Sequence, residues 1–413
     1  MSWCAGVSFA IGSGAAGMEI REPHAAEVGA VSANTTDARG LSPAASVEFH
    51  PRFVGCAGIL AWCPALEPSG WGADNASTMT QNMPKLPNGL NAEDLVDIYA
   101  NMVLIRTLDE RIWAMNRQGK AAIVASSQGH EAAQLASVWA LRHHARDYFC
   151  FTYYRDLAVT VSQGMTPTEA LLGFLAKEGE PMSGARQFPQ HGAMRDRKVI
   201  NISNVVATHI PQAVGWALAA KMRGEETVVA AYMGDGATSQ GEVHEAMNFA
   251  SVMKLPVVFI VENNRYAISV PQHRQMNVME VSLRAIGYGM PGVTADGTDV
   301  VASYAACAEA VERAARGDGP SLVELNVERY LPHTSDDDDS VYRNKVEIEE
   351  ARKRDPLAKL RELLAGAGLM TDERDAELLE SARREVDAAT DAAEAAPFPP
   401  DDDVMERVFE EMR

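Results

Sequence analysis

Thr227 to Ser269 reads TVVAAYMGDGATSQGEVHEAMNFASVMKLPVVFIVENNRYAIS, and this stretch decides the fold. The apolar run Val228 to Met233 is short and valine-rich, which suits a buried strand better than a helix. It stops at Gly234-Asp235-Gly236, where two glycines let the backbone turn sharply and approach a ligand while a carboxylate is held between them. From about Ser239 to Met253 the pattern is helical, with Val243, Met247, Ala250 and Val252 expected toward one side. A second apolar run, Val257 to Val261, follows Pro256 and ends at Glu262-Asn263-Asn264-Arg265-Tyr266. The unit is strand, helix, strand, and its two strand ends can lie side by side at one rim of a parallel sheet.

Those ends offer an acid and an amide oxygen beside a helix start. Mg²⁺ takes oxygen ligands, usually one or two carboxylates with phosphate oxygens and water. Free amide groups at a helix start favour phosphate. Asp235 and Asn264 on a cation, with the backbone of 236 to 239 on a phosphate, form a coherent diphosphate and Mg²⁺ site. Taken singly, GDG reads as a tight turn and NN as a loop; together, with strands entering both, they say more.

Working outward, the composition narrows the rest. A chain of 413 residues holds one large α/β domain or two ordinary ones. Its net charge of −20, from 37 basic and 57 acidic residues, disfavours nucleic acid and anionic lipid as partners. The cysteines, Cys4, Cys56, Cys63, Cys150 and Cys307, form no CxxC pair, so neither a disulfide framework nor a structural zinc site is expected. That usage fits a reducing cytoplasm, and the segment Cys4 to Met18 is a poor secretory signal and too short to span a membrane.

Residues 1–78 are dense in Ala, Gly, Ser and Pro without a sustained period, and disorder is expected there. Gly12, Gly14 and Gly17 spell GxGxxG, but Pro23 breaks the helix that a dinucleotide fingerprint requires. Met79 opens a more ordinary sequence, and the expected division is a tail over 1–78, an α/β domain over 79–345 and a helical extension over 346–413. Asn91 with Asp94 predicts a capped helix carrying Leu95, Ile98, Tyr99, Met102, Ile105 and Ile112 on one face and stopping at Gly119. His130-Glu131 lacks the second histidine of a zincin motif, since position 134 is Gln, and His244-Glu245 fails in the same way. Thr166-Pro167-Thr168-Glu169 is a capping box opening a helix to about Lys177. Gly179 to Lys198 reads as a loop, with His191 facing either the site or solvent. Val293 to Asp296 and Leu322 to Val327 read as strands around a helix over roughly 300 to 316, and the alternation implies a parallel sheet covered by helices on both faces.

Gly-Asp-Gly and Asn-Asn with 26 residues between them resemble the thiamine diphosphate motif. With SQGEVHEAMNFASVMKLP and ENNRYAIS, the chain resembles the alpha subunit of the decarboxylating component of 2-oxo acid dehydrogenase complexes, over about residues 90 to 400. The resemblance implies the thiamine diphosphate-binding fold with helical N- and C-terminal extensions. It implies Mg²⁺ on Asp235, Asn264 and the carbonyl of Tyr266, and a diphosphate met by Gly234, Gly236, Ala237 and Arg155. Asn204 would border the aminopyrimidine ring, and Val206 would support the bent cofactor. Tyr154, Arg155 and His333 would serve the reaction, with His333 carried on the segment after the last strand. Some relatives bind a monovalent cation at positions matching Ser203, Thr208 and His209, the last standing where they carry an amide. Glu262 replaces an arginine found in some branched-chain members, a role Arg265 would then take over.

The endings NNRYAISVP and HTSDDDDSVYR resemble branched-chain 2-oxo acid members of this family more than pyruvate members. Oxidative decarboxylation of a small branched-chain 2-oxo acid, within branched-chain amino acid catabolism, is the implied activity; pyruvate or acetoin enzymes, and a non-catalytic cofactor-binding partner, stay as alternatives. The acyl group would pass to a lipoyl-bearing acyltransferase core. The carboxylate that activates the ring is expected from a separate beta subunit in an α₂β₂ heterotetramer.

Overall fold

The computed structural model describes residues 83–201 and 203–401. The tail expected over 1–78, with its GxGxxG, lies outside the described residues. Asn91 caps α1 (Ala92–Arg117) through a reciprocal box with Asp94, and the predicted face, Leu95, Ile98, Tyr99, Met102, Ile105 and Ile112, is buried. After α2 (Glu131–His144) the first strand is β1 (Asp147–Phe151), followed by α3 (Leu157–Ser162) and α4 (Pro167–Phe174). Thr166 and Glu169 make the expected capping box of α4, which ends three residues before Lys177.

The stretch read as a loop contains β2 (Gly192–Met194), which pairs antiparallel with β3 (Val199–Asn201). Three-residue strands leave too little alternation for a sequence pattern to show. Then come α5 (His209–Arg223), β4 (Thr227–Gly234), α6 (Gly241–Val252) and β5 (Val257–Asn263). A short 3₁₀ turn, Asp235–Ser239, separates β4 from α6. In α6 the predicted face holds for Val243, Met247 and Ala250 but not for Val252, which is 71% exposed. Two residues past Ala250 is more than half a helical turn away from that face.

A hairpin, β6 (Tyr266–Ala267) and β7 (Val270–Pro271), leads to β8 (Gly292–Asp296), α7 (Val300–Ala315) and β9 (Ser321–Asn326). The chain closes with α8 (Lys345–Arg352), α9 (Pro356–Gly366) and α10 (Asp372–Ala395).

The seven-stranded sheet runs β2-β3-β1-β4-β5-β9-β8, with every neighbouring pair parallel except β2 and β3. Both faces of β4 are buried. Val228, Ala230 and Tyr232 join a core shared with α1, α2, α7, α9 and α10, while Val229, Ala231 and Met233 join another built with α5 and α6. This explains the unbroken apolar run, since a strand covered on both sides needs no polar alternation. The terminal helices are tied in by polar contacts: Tyr99 donates to Asp375 at 2.6 Å, and Arg111 to Thr390 at 2.9 Å. Among the described residues no helix is long and apolar enough to cross a membrane.

Candidate active site

The parallel register of β4 and β5 sets Gly234 opposite Glu262, so the chain leaves both strands at the same rim. There lies a cavity of about 290 Å³, lined by Tyr154, Arg155, His191, Asn204, Val206, Gly234, Asp235, Gly236, Ala237, Asn264, Tyr266 and His333 among others. The residues read for thiamine diphosphate, Mg²⁺ and the reaction border this one space, whereas Thr208 and Arg265 are not among its lining.

Asp235 is 1% exposed, and neither carboxylate oxygen has a hydrogen-bond partner. Burial pushes its pKa up to about 6, against the peptide groups around it and the charge of Arg329. An unpaired carboxylate is costly to keep there unless a cation completes it. Its turn is held firmly: Thr238 Oγ1 donates to the Asp235 carbonyl at 2.6 Å, and Arg284 Nη1 to the Thr238 carbonyl at 2.6 Å. A Cβ on Gly236 would stand 2.8 Å from that of Ala267, so only glycine lets the hairpin close over the turn. Asn264 Oδ1 accepts from Tyr266 N at 3.2 Å, which fixes the amide beside the acid. Among the described residues no three His, Cys, Asp or Glu side chains converge as a self-sufficient metal site. One carboxylate with an amide and a carbonyl is instead the donor set of a cation that shares its ligands with phosphate and water. The orphaned acid fits that group.

Arg155, 2% exposed, donates to the Ser126 carbonyl at 2.7 Å and to the His333 carbonyl at 3.1 Å. Its Nη2 also lies 3.3 Å from His333 Nδ1. A guanidinium only donates, so Nδ1 accepts and the His333 proton sits on Nε2. Burial, then the charges of Arg155 and Arg329, depress the His333 pKa to about 3, and the ring is neutral. Its segment is anchored by Asp337, which accepts from His333 N at 2.8 Å and from the Tyr342 hydroxyl. Arg329 Nη2 donates to the Ile268 carbonyl at 3.0 Å and to Tyr342 Oη at 3.1 Å, linking the hairpin to this segment. The sequence reading missed Arg329, whose only sign was a basic residue following a strand in an acidic region.

Two expectations change. Glu262 is fully buried and does not line the cavity: His130 Nδ1, Gln134 Nε2 and Tyr153 Oη all reach its Oε2, at 2.7, 2.9 and 3.0 Å. Burial, then the charge of Glu262, raises the neighbouring Asp156 well above the carboxylate range. Arg265 does not take over an arginine's place at the cavity. Its backbone is left-handed, at φ 68°, and its guanidinium lies 3.5 Å from Glu328.

Of the residues read for a monovalent cation, His209 has its Nε2 committed elsewhere. His209 Nε2 bonds the Tyr232 carbonyl at 2.7 Å, Thr208 Oγ1 donates to Glu242 at 3.3 Å, and Ser203 Oγ accepts from Val205 N at 3.0 Å. An imidazole N–H pointed at a carbonyl offers a cation nothing. Val206 borders the cavity at 48% exposure, with Val205 beside it at 66%. The mouth is thus apolar and open.

Comparison with known proteins agrees with this geometry. The family described as "Dehydrogenase E1 component" matches residues 99–401. Over 321 residues the chain is 44% identical to the 2-oxoisovalerate dehydrogenase subunit alpha of Bacillus subtilis (strain 168), covering 78% of this chain and 97% of that protein. It is 36% identical over 324 residues to the pyruvate dehydrogenase E1 component subunit alpha of Staphylococcus aureus (strain Mu50 / ATCC 700699), covering 78% of this chain and 84% of the relative. The same subunit from Staphylococcus epidermidis is similar to the same extent.

Proposed function

This chain belongs to the dehydrogenase E1 component family, and from that premise we propose that it is the alpha subunit of a thiamine diphosphate-dependent enzyme of the 3-methyl-2-oxobutanoate dehydrogenase (2-methylpropanoyl-transferring) type, acting on branched-chain 2-oxo acids. The observation that carries the reading is the buried, partnerless carboxylate of Asp235 beside Asn264 at two parallel strand ends. The higher identity to a 2-oxoisovalerate dehydrogenase subunit supports the branched-chain substrate over pyruvate.

Bound thiamine diphosphate supplies the nucleophilic carbon and the ring that holds the electrons left when carbon dioxide departs. In this reading Asp235, Asn264 and the Tyr266 carbonyl hold Mg²⁺. Gly234, Gly236, Ala237 and Arg155 meet the diphosphate. Asn204 and Val206 border the aminopyrimidine. His333 presents Nε2–H to the substrate, with Tyr154 packed edge-on against it at 5.8 Å. Neutral His333 and the Arg155 fork both donate, which matches a substrate carrying a carboxylate and a keto oxygen.

A partner chain completes the site. Among the described residues Asp235 is the only carboxylate lining the cavity, and the cation takes it. A beta subunit then supplies the acid that activates the ring and covers the apolar mouth at Val205 and Val206, as α₂β₂, and a lipoyl-bearing core receives the acyl group. The test is co-expression with a beta chain and carbon dioxide release from 3-methyl-2-oxobutanoate, pyruvate and acetoin-forming mixtures. Fastest turnover of the branched acid is expected; a preference for pyruvate would move the substrate assignment, and no release from any would end the reading.

A further inference from the structure

His191 is 6% exposed on the cavity wall, and its contacts decide where its proton sits. Nδ1 lies 2.9 Å from the Pro189 carbonyl oxygen and 3.2 Å from that of Phe188. Carbonyl oxygens only accept, so Nδ1 is the protonated nitrogen. Burial holds the pKa below its ordinary value, opposed by those two carbonyls, and keeps the ring neutral. The lone pair is therefore on Nε2, which makes no hydrogen bond among the described residues and is not sealed in the protein.

The backbone that delivers this ring is over-determined. Gln190 is left-handed, at φ 63°; its carbonyl accepts from Asn201 at 2.6 Å and its side chain from Thr160 at 2.9 Å. At Gly192, φ is 137° and a Cβ would stand 2.2 Å from the Met182 carbonyl oxygen. Such a conformation persists where the surroundings enforce it, and it concentrates at functional positions.

Across the cavity wall, the Tyr154 ring stacks on His191 at 6.4 Å and meets His333 edge-on at 5.8 Å. Two imidazoles against one tyrosine thus present opposite polarity, His333 a donor and His191 an acceptor.

We propose that His191 is a catalytic residue whose Nε2 accepts a hydrogen bond from the hydroxyl that the substrate's 2-oxo oxygen becomes once its carbon is attacked. The inference rests on the reading of this cavity as a 2-oxo acid decarboxylation site. A free 2-oxo acid carries only lone pairs at its keto and carboxylate oxygens, so Nε2 gains nothing from the ground state. The attacking carbon gives up its own proton to become a nucleophile, and the addition returns one proton to the keto oxygen as the new carbon–carbon bond replaces the C=O π bond; only then does that oxygen offer a donor. An interaction realised after binding lowers the barrier rather than tightening the substrate. The role is acceptance alone, and the proton stays on the substrate oxygen.

The test has two arms on the full chain purified with its beta chain. Solid-state NMR of ¹⁵N-histidine-labelled protein, with the signal assigned by its loss in His191→Phe, is expected to show a neutral ring protonated at Nδ1. An Nε2-protonated ring or an imidazolium overturns the inference without reference to turnover. In kinetics, His191→Phe keeps a flat ring against Tyr154 and should lower kcat for 3-methyl-2-oxobutanoate about tenfold to a hundredfold, with KM changed by less than about twofold. His191→Gln, which returns an acceptor at the same reach, should recover part of that loss. An unchanged kcat in the Phe variant, or a rise in KM alone, overturns the role. If the wild-type pair turns over no 2-oxo acid, the substrate role falls together with the functional reading, a result distinct from an active wild type with an indifferent variant.

Discussion

Gln275 Nε2 donates to the main-chain carbonyl of Asp235 over 2.8 Å, and the same nitrogen reaches the Ser239 hydroxyl at 3.1 Å. One side chain thus braces both ends of the turn that presents the acid, without touching the carboxylate. Replacing Gln275 with Leu removes the brace and should weaken thiamine diphosphate binding in Mg²⁺ about threefold to tenfold, the worth of one ordinary hydrogen bond. Titration by tryptophan fluorescence measures it. A thermal midpoint that falls by many degrees, with affinity unchanged, would show that the brace serves the fold rather than the site.

Asp235→Asn separates the cost of the acid from its use. Folding raises this carboxyl to about 6 through burial, so the native chain holds its proton more tightly than the unfolded one. Stability is then fully present below the unfolded value and is lost as pH rises toward 6, by on the order of 3 kcal/mol for such a shift. The Asn variant lacks that loss. Without cofactor at pH 7.5 it should melt at or above the wild-type temperature, yet gain nothing from Mg²⁺ and thiamine diphosphate, which should raise the wild-type midpoint. Thermal melts of both proteins, with and without ligand, decide it.

The sequence was most legible where one physical requirement acted over several residues. Val228 to Met233 reads as a buried strand because both faces of β4 meet cores, and Asn91 with Asp94 announces α1 because capping is local. The place of the candidate site was legible at Asp235 and Asn264 because strand ends put both at one rim, and the role proposed for His333 followed from resemblance to the family. The polarity of His191 was not, since it depends on carbonyls brought beside Nδ1 by a left-handed Gln190. Nor was the fate of Glu262, whose three partners come from positions 130, 134 and 153, more than a hundred residues away in the chain. Contacts of that kind have no local signature.

His209 should give the chain an acid limb to its stability. Burial depresses its pKa to about 4, opposed by its hydrogen bond to the Tyr232 carbonyl. The unfolded chain takes a proton near the ordinary value while the folded one refuses it, so stability is full above about 6.5 and falls as pH drops toward 4. The loss is on the order of 3 kcal/mol. His209→Gln keeps an N–H for Tyr232 but has no titration. Urea midpoints at pH 7.5 and 4.5 should differ less in the variant than in the wild type; equal differences would place the acid limb elsewhere.

Gly236 and Ala267 form a steric pair whose coupling can be read directly. An added methyl at 236 would stand 2.8 Å from the Ala267 Cβ and 3.1 Å from its Cα, closer than packed carbons tolerate. Gly236→Ala must therefore push the β6–β7 hairpin away, moving the Tyr266 carbonyl and Ile268 from the cavity rim they line. A loss of more than about tenfold in cofactor affinity is expected, because a ligand set displaced by half an ångström no longer closes on one ion. Ala267→Gly alone removes a methyl from the surface of the contact and should change affinity little. Combined with Gly236→Ala it takes away the nearer clash but leaves the Cα, so part of the affinity should return. The double-mutant cycle should give a coupling of about 0.5 to 3 kcal/mol, the range for residues in contact. Additive effects would mean that the glycine is needed for a reason other than the closeness of the hairpin.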